Sequence, residues 1–98
     1  MVMIAKNAQK CEQIAAILKA LGHPIRLRMV ALLCEGEQHV GALSEDLGIP
    51  QSVVSQQLGI LRMRGLVAAS REQGRAVYRL LEPRLRQLVE CMEGCKTH

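Results

Sequence analysis

The fold of this chain is decided by residues 39–67, which read HVGALSEDLGIPQSVVSQQLGILRMRGLV. A short helix is predicted over residues 40–47, because its apolar side chains recur at helical spacing and a glycine follows it. A longer helix is predicted over residues 50–64 on the same apolar spacing. The tight turn GIP (48–50) joins the two, and this arrangement predicts a helix-turn-helix unit.

The longer helix has a polar outer face that is almost uncharged. Its inner face carries the apolar residues Val54, Leu58 and Leu61. The outer face carries amide, hydroxyl and small residues, namely Gln51, Ser52, Ser55, Gln56 and Gly59. Ser and Gln side chains can pair with base edges in the major groove of a duplex. We therefore expect this face to contact double-stranded DNA.

Outward from this unit, apolar spacing and turn residues predict the remaining elements. They are helices over residues 8–21, from Pro24 towards Gly36 and from Pro83 onward, and strands over residues 66–70 and 76–81 around the turn REQGR (71–75). Residues 1–7 are expected to fray. The sequence thus predicts one mainly α domain over residues 1–98, in which four helices, a β-hairpin wing and a fifth helix follow one another.

The net charge of +4 is concentrated in one part of the chain. Residues 51–81 contain a single acidic residue and no lysine, while the acidic and basic residues of the remaining chain cancel. The basic residues of this segment are Arg62, Arg64, Arg71, Arg75 and Arg79. A concentrated basic patch suits a phosphate backbone, and the planar guanidinium group suits phosphates and base edges. The alternative is a solvated basic face with no partner.

The chain carries more aliphatic surface than a domain of its size can bury. A chain of 98 residues buries about two-thirds of its unfolded surface. Yet 49% of its residues are hydrophobic, although it has no Phe and no Trp. We therefore expect a subunit interface. No apolar run is long enough for a membrane span or a signal peptide, which predicts a cytoplasmic protein with reduced thiols.

Three segments give the chain a resemblance to a known family. They are LKALGHPIRLRMVALL (18–33), HVGALSEDLGIPQSVVSQQLGILRMRGLV (39–67) and REQGRAVYRL (71–80). Through these segments the chain resembles the ArsR/SmtB family of metal- and thiol-responsive bacterial repressors. The resemblance implies a winged-helix homodimer built from the first and last helices. It also implies an operator of double-stranded DNA with two-fold symmetry, and release from DNA when an effector binds.

Carried over by position, the resemblance assigns the DNA contacts to one helix and the hairpin. The expected contacts are Gln51, Ser52, Ser55, Gln56 and Gln57 on the base-reading helix and Arg71, Gln73, Gly74 and Arg75 on the wing. Arg62, at the end of that helix, is a further expected contact because it belongs to the basic segment. The chain departs from the family pattern at Gln57, where members often carry His, and at Pro50, where many carry a capping Ser. These departures are expected to change the operator that is read.

The effector sites best known in the family are not matched. Residues 37–41 contain no cysteine, where metal-binding members carry a Cys-rich motif on the third helix. The last helix carries Glu82, Arg84 and Cys91, which do not match the family's zinc ligands. Ala31 stands where redox-sensing members have a cysteine of the second helix. The cysteines of this chain therefore predict a different sensor.

Cys91, Cys95 and His98 share one face of the last helix, and Cys11 lies on the first helix. If these helices pack together, the three thiolates suit trivalent arsenic or antimony, cadmium or lead. Adding His98 would complete a four-ligand zinc set. Thiol oxidation or persulfide sensing by the same cysteines is the alternative, and packing as small hydrophobes is the third interpretation. For Cys34, on the inner face of its helix, packing is expected.

These observations predict a sequence-specific repressor that an effector releases from its operator and that requires no cofactor. The effector is expected to be a thiol-binding metalloid or soft metal ion such as As(III), with thiol-redox or persulfide sensing as the alternative. A protein-interaction module on the same fold would need an acidic partner for the basic segment. The sequence has no nucleophile–base set and no Gly-rich phosphate cradle, which argues against an enzyme.

Overall fold

The structure, a computed structural model, describes residues 4–94 of the chain. The helices are α1 (Ala8–Leu21), α2 (Pro24–Leu33), α3 (Val40–Leu47), α4 (Gln51–Met63) and α5 (Pro83–Gly94). The strands are β1 (Gln38–His39), β2 (Val67–Glu72) and β3 (Arg75–Leu80). This order confirms the predicted winged helix-turn-helix class and adds the short strand β1, which the sequence analysis did not predict. The start of the chain, expected to fray, forms a single 3-10 turn over Ile4–Lys6.

Two histidines fix the starts of successive helices. His23 precedes α2, and its Nδ1 accepts a hydrogen bond from the backbone N–H of Ile25 at 3.2 Å. His39 precedes α3, and its Nδ1 accepts from the backbone N–H of Ala42 at 3.2 Å. A side-chain acceptor at this position satisfies a backbone donor that the helix leaves unpaired. Both histidines therefore have a structural task.

The turn between α3 and α4 sets the direction of α4. Gly48 has φ 70°, in the left-handed region that glycine adopts without a steric penalty. The backbone N–H groups of Gly48 and Ile49 both donate to the carbonyl oxygen of Ser44. The hydroxyl of Ser44 donates in turn to the carbonyl oxygen of Ile49 at 2.5 Å. Three hydrogen bonds thus close this turn around one serine.

The three strands form one antiparallel sheet in the order β1-β3-β2. Since β1 leads directly into α3, its pairing with β3 attaches the wing to the helix-turn-helix unit. Gln73 and Gly74 alone form the wing turn, with φ 53° and 80°, which is typical of a tight two-residue hairpin. The predicted five-residue turn was too long, because the charged residues around it were interpreted as loop. Their side chains extend into solvent from paired strands.

The core lies between α1, α2, α3, α4, β2 and α5, and none of its buried members among the described residues is aromatic. Its most buried members, all under 2% exposed, are Met29, Val30, Leu33, Leu43, Val54, Leu58, Leu61, Val67 and Leu85. No polar or charged side chain is buried within residues 4–94. None of the described helices is long and apolar enough to cross a membrane.

Candidate nucleic-acid interface

Helix α4 presents two chemically opposite faces. Val54, Leu58 and Leu61 are 0% exposed and anchor the helix in the core. The opposite face is exposed along its length and consists of Gln51, Ser52, Ser55, Gln56 and Gly59, called the α4 ridge below. No side chain caps the start of α4 at Pro50, as the sequence predicts. The α4 ridge is therefore available to a partner, with uncharged donors and acceptors that suit base edges.

Gln57 lies beside the α4 ridge and is half-buried. Its Oε1 accepts a hydrogen bond from Nη1 of Arg26 at 3.0 Å. The same guanidinium donates through Nε to the carbonyl oxygen of Ala20 at 2.6 Å, at the end of α1. The amide oxygen of Gln57 is thus engaged inside the protein, and a base contact by Gln57 stays a prediction. Sequence reasoning missed Arg26, whose only sign was one arginine within an otherwise apolar helix face.

The wing residues come together at the exposed tip of the hairpin. Arg71 donates from Nη1 to the carbonyl oxygen of Gly74 at 2.9 Å, across the two-residue turn. Nη1 of Arg75 lies 2.9 Å from Nε2 of His39, the residue that caps α3. Gln73 is exposed at the turn itself. The Arg75 side chain therefore lies against the start of the helix-turn-helix unit.

The charges of the basic segment are not neutralised inside the protein. Arg62 and Arg64 are exposed at the end of α4, and Arg79 is exposed on β3. Over residues 4–94, the ion pair observed is that of Arg84 and Glu82 at 2.6 Å, at the start of α5. That hydrogen bond holds the pKa of the Glu82 carboxyl below its ordinary value. None of the five arginines of the basic segment has such a partner in the described part of the chain, so their charge is available to phosphates.

The cysteines predicted to form a sensor are only partly described. Cys11 is half-buried on α1, and its Sγ donates to the carbonyl oxygen of Ile4 at 2.8 Å. Cys91 is exposed on α5, while Cys95 and His98 lie outside the described residues. Within residues 4–94, no group of three potential metal ligands comes together. A site formed by Cys11, Cys91 and Cys95 stays a prediction.

Cys34 follows α2 and is half-buried. Burial raises the pKa of the Cys34 thiol from its ordinary value of 9.0, and the nearby Arg86 opposes this effect. Nε of Arg86 donates to the carbonyl oxygen of Cys34 at 3.1 Å, which joins α5 to the end of α2. A thiol held protonated by burial is a weaker nucleophile, in agreement with a packing role.

A second exposed surface lies on α1, α2 and α5 and is apolar. Leu18, Leu27 and Met92 are 51%, 46% and 61% exposed, although each has a large apolar side chain. They border a cleft of about 390 Å³ whose wall includes Leu88 and Val89. A second cleft of about 320 Å³ follows α1 and α5 on the other side of Leu18. This surface is called the α1–α5 face below.

Known proteins resemble this chain in both sequence and architecture. A family model described as bacterial regulatory protein, arsR family, matches residues 23–69. The chain is 43% identical over 84 residues to the biofilm growth-associated repressor of Xylella fastidiosa (strain Temecula1), spanning 86% of this chain and 74% of that protein.

Two solved structures resemble the chain over most of its length. The crystal structure of the transcriptional repressor BigR from Xylella fastidiosa matches with a TM-score of 0.86 and 40% identity over 93% of each chain. The solution structure of the homodimeric winged helix-turn-helix DNA-binding domain of Mb0332 from Mycobacterium bovis matches with a TM-score of 0.76 and 32% identity. That match covers 95% of this chain and 91% of the other.

Proposed function

This chain belongs to the ArsR family of bacterial regulatory proteins and is a transcriptional repressor rather than an enzyme; from this premise we propose that it reads a two-fold-symmetric operator as a homodimer. The α4 ridge contacts base edges in the major groove, and the wing contacts the backbone beside it. The observation that carries the proposal is the α4 ridge itself. It is an exposed, uncharged Ser/Gln surface in the same segment as five arginines without acidic partners.

The α1–α5 face supports the homodimer. Large apolar side chains that stay half-exposed are typical of surfaces that another subunit covers. The protein is also elongated, with a radius of gyration of 14.6 Å, whereas a compact chain of this length has about 13 Å. A two-fold dimer through α1 and α5 places two α4 helices on one side of the assembly. Half-sites one helical turn apart, about 34 Å, would suit them.

Selection of duplexes from a random library, followed by fluorescence anisotropy, tests the proposal. The expected result is enrichment of one two-fold-symmetric site, with affinity that falls steeply as salt rises. Gln56→Ala and Ser55→Ala should change which sequences are selected, whereas Lys10→Gln, a loss of charge on α1, should not. Equal binding of all duplexes by the parent protein would exclude sequence-specific recognition.

We further propose that the effector is a thiol-binding metalloid or soft metal ion, such as As(III), at Cys91 and Cys95 together with Cys11. A half-buried thiol on α1 and an exposed thiol on α5 support it, because thiolates prefer soft ions and these helices form the proposed interface. Thiol oxidation or persulfide formation at the same cysteines is the alternative. Ion binding or thiol oxidation on these helices would change the geometry of the dimer interface and hence the spacing of the two α4 helices.

Titrating the protein–operator complex distinguishes these effectors. Trivalent arsenic, cadmium, zinc, peroxide and polysulfide are added separately, and the release of labelled DNA is measured. The series is repeated on Cys11→Ser, Cys91→Ser and Cys95→Ser, with Cys34→Ser as the matched control. A metal or metalloid sensor releases DNA with the ions alone, and a redox sensor with peroxide or polysulfide. If all variants respond like the parent, the cysteines are not the sensor.

A further inference from the structure

A small cleft lies where the wing meets the helix-turn-helix unit. Its volume is about 390 Å³, and its wall includes His39, Gly41, Gln51 and Arg75. His39 belongs to β1, which pairs with β3 so that His39 lies opposite Val77. Because Arg75 begins β3, this pairing fixes the His39 and Arg75 backbones relative to each other. Gln51 is the first residue of the α4 ridge, so the cleft opens beside the proposed DNA-reading surface.

While His39 caps α3, two hydrogen-bond donors face each other in this cleft. Nδ1 of His39 accepts from the backbone N–H of Ala42, and a neutral imidazole has one acceptor nitrogen only. While His39 caps α3, its Nε2 must therefore carry the proton. Nη1 of Arg75 lies 2.9 Å from that Nε2, and a guanidinium has no acceptor.

The two contacts of the His39 ring thus compete. If Nε2 accepts from Arg75, then Nδ1 carries the proton and the N–H of Ala42 loses its acceptor. If the ring is doubly protonated, both nitrogens become donors. In each state at least one donor of Ala42, His39 or Arg75 has no acceptor within this trio. An oxygen acceptor placed between Nε2–H and Nη1–H would satisfy all three.

We propose that His39 and Arg75 form an oxyanion-binding site and that a backbone phosphate of the operator occupies it. This inference rests on the proposed function, since the duplex supplies the phosphate. The phosphate oxygen accepts from Nε2–H of His39 and from the guanidinium of Arg75, while Nδ1 continues to cap α3. An anionic acceptor suits this pair, because hydrogen bonds to a charged oxygen are the stronger ones.

Gly41 gives the His39 ring the space that this geometry needs. A Cβ at position 41 would lie 3.1 Å from Cε1 and 3.2 Å from Nδ1 of the ring. These separations are tighter than ordinary van der Waals contact, so a side chain there would require the ring to shift by a few tenths of an ångström. The absence of a side chain at position 41 therefore leaves room for the ring position in which Nε2 lies beside Arg75.

The variant His39→Asn separates the phosphate contact from the cap. Asparagine is among the best N-capping residues, so its side-chain oxygen keeps the acceptor for Ala42 but the variant lacks Nε2. We expect thermal stability close to that of the parent and about three- to tenfold weaker binding to every duplex. Arg75→Gln should also weaken binding to every duplex and reduce the salt-dependence slope by about 1. In the double variant, His39→Asn should add little further loss.

A spectroscopic measurement checks the ring directly. Long-range ¹H–¹⁵N correlation of the His39 imidazole should show the Nε2–H tautomer, and the Nε2 signal should move when operator duplex is added. Inorganic phosphate at millimolar concentration should move the same signal, whereas chloride at equal ionic strength should not.

Several results would overturn the site. One is parent-like affinity of His39→Asn while operator preference persists; in that case the proposed function stands and this inference fails. Another is losses of His39→Asn and Arg75→Gln that multiply in the double variant, which would mean that the residues act separately. A third is a response of the ring to inorganic phosphate but none to duplex, which would exclude DNA as the occupant.

Discussion

The α4 ridge and the α1–α5 face are both exposed, but they differ in chemistry. The α4 ridge has polar side chains whose hydrogen-bonding groups water can satisfy, and it lies in the part of the chain where the arginines concentrate. The α1–α5 face exposes Leu18, Leu27 and Met92, whose burial would remove apolar surface from water. One surface thus suits a charged, hydrated partner and the other a second copy of the chain. Changes on the two faces should therefore have separable effects.

The largest effect is expected from Leu18→Glu on the α1–α5 face. A charge there would be buried by the partner subunit, so the dimer should dissociate. Losing the second half-site should lower operator affinity at least about a hundredfold. Sedimentation velocity gives the mass and anisotropy gives the affinity. Met63→Glu, at an 88% exposed position on α4, serves as the control for the oligomeric state. A dimeric Leu18→Glu protein would show that another surface joins the subunits.

A smaller effect is expected from Gln56→Ala on the α4 ridge. Losing one base-reading side chain should reduce discrimination at one base pair of each half-site by about 1–3 kcal/mol. Binding to random duplexes should change little, and the protein should stay dimeric. Competition with operators altered at single positions measures this effect. Equal losses for operator and random DNA would mean that Gln56 does not read a base.

Arg71→Gln should have a uniform and weaker effect than Gln56→Ala. We expect affinity for operator and random duplexes alike to fall by about 1 kcal/mol, because a backbone contact carries no sequence information. The salt-dependence slope should decrease by about 1. Lys10→Gln, which removes a positive charge from α1, should leave that slope unchanged. A change in sequence preference with Arg71→Gln would instead indicate groove readout by the wing.

The smallest effects concern Cys34, which lies at the end of α2 and belongs to neither surface. The folded-state pKa of its thiol is raised above the ordinary 9.0, so the folded protein retains the proton more tightly than the unfolded chain. Its contribution to stability is therefore complete below pH 9 and is lost as pH rises above that value. Denaturant unfolding of the parent and Cys34→Ala between pH 7 and 10.5 should converge at the alkaline end. A difference that grows with pH would contradict this sign.

Exposure should also order the reactivity of the thiols. Cys91 is exposed on α5, whereas Cys34 is half-buried, so iodoacetamide should modify Cys91 first at pH 8. Peptide mass spectrometry after short exposures measures the order. Faster modification of Cys34 would indicate that the end of α2 opens readily.

The sequence predicted those features that depend on local patterns. The bounds of α1 and α3 and the two faces of α4 follow apolar spacing and terminal glycines, so they were predicted closely. Strand β1 has two residues and no periodicity, and only its pairing with Val77 and Tyr78 defines it. The pairs Arg26–Gln57 and His39–Arg75 are 31 and 36 residues apart in sequence. Such contacts depend on how the elements pack, which a single sequence does not reveal.

The proposed function requires that the α4 ridge and the wing contact a duplex while the α1–α5 face does not. Backbone ¹H–¹⁵N spectra of the labelled protein, recorded while a selected two-fold-symmetric duplex is added, test it most directly. We expect the largest shifts at Ser52, Ser55 and Gln56 and at the wing turn, with small shifts along α5. Shifts concentrated on α1 and α5, with Ser55 and Gln56 unmoved, would contradict it.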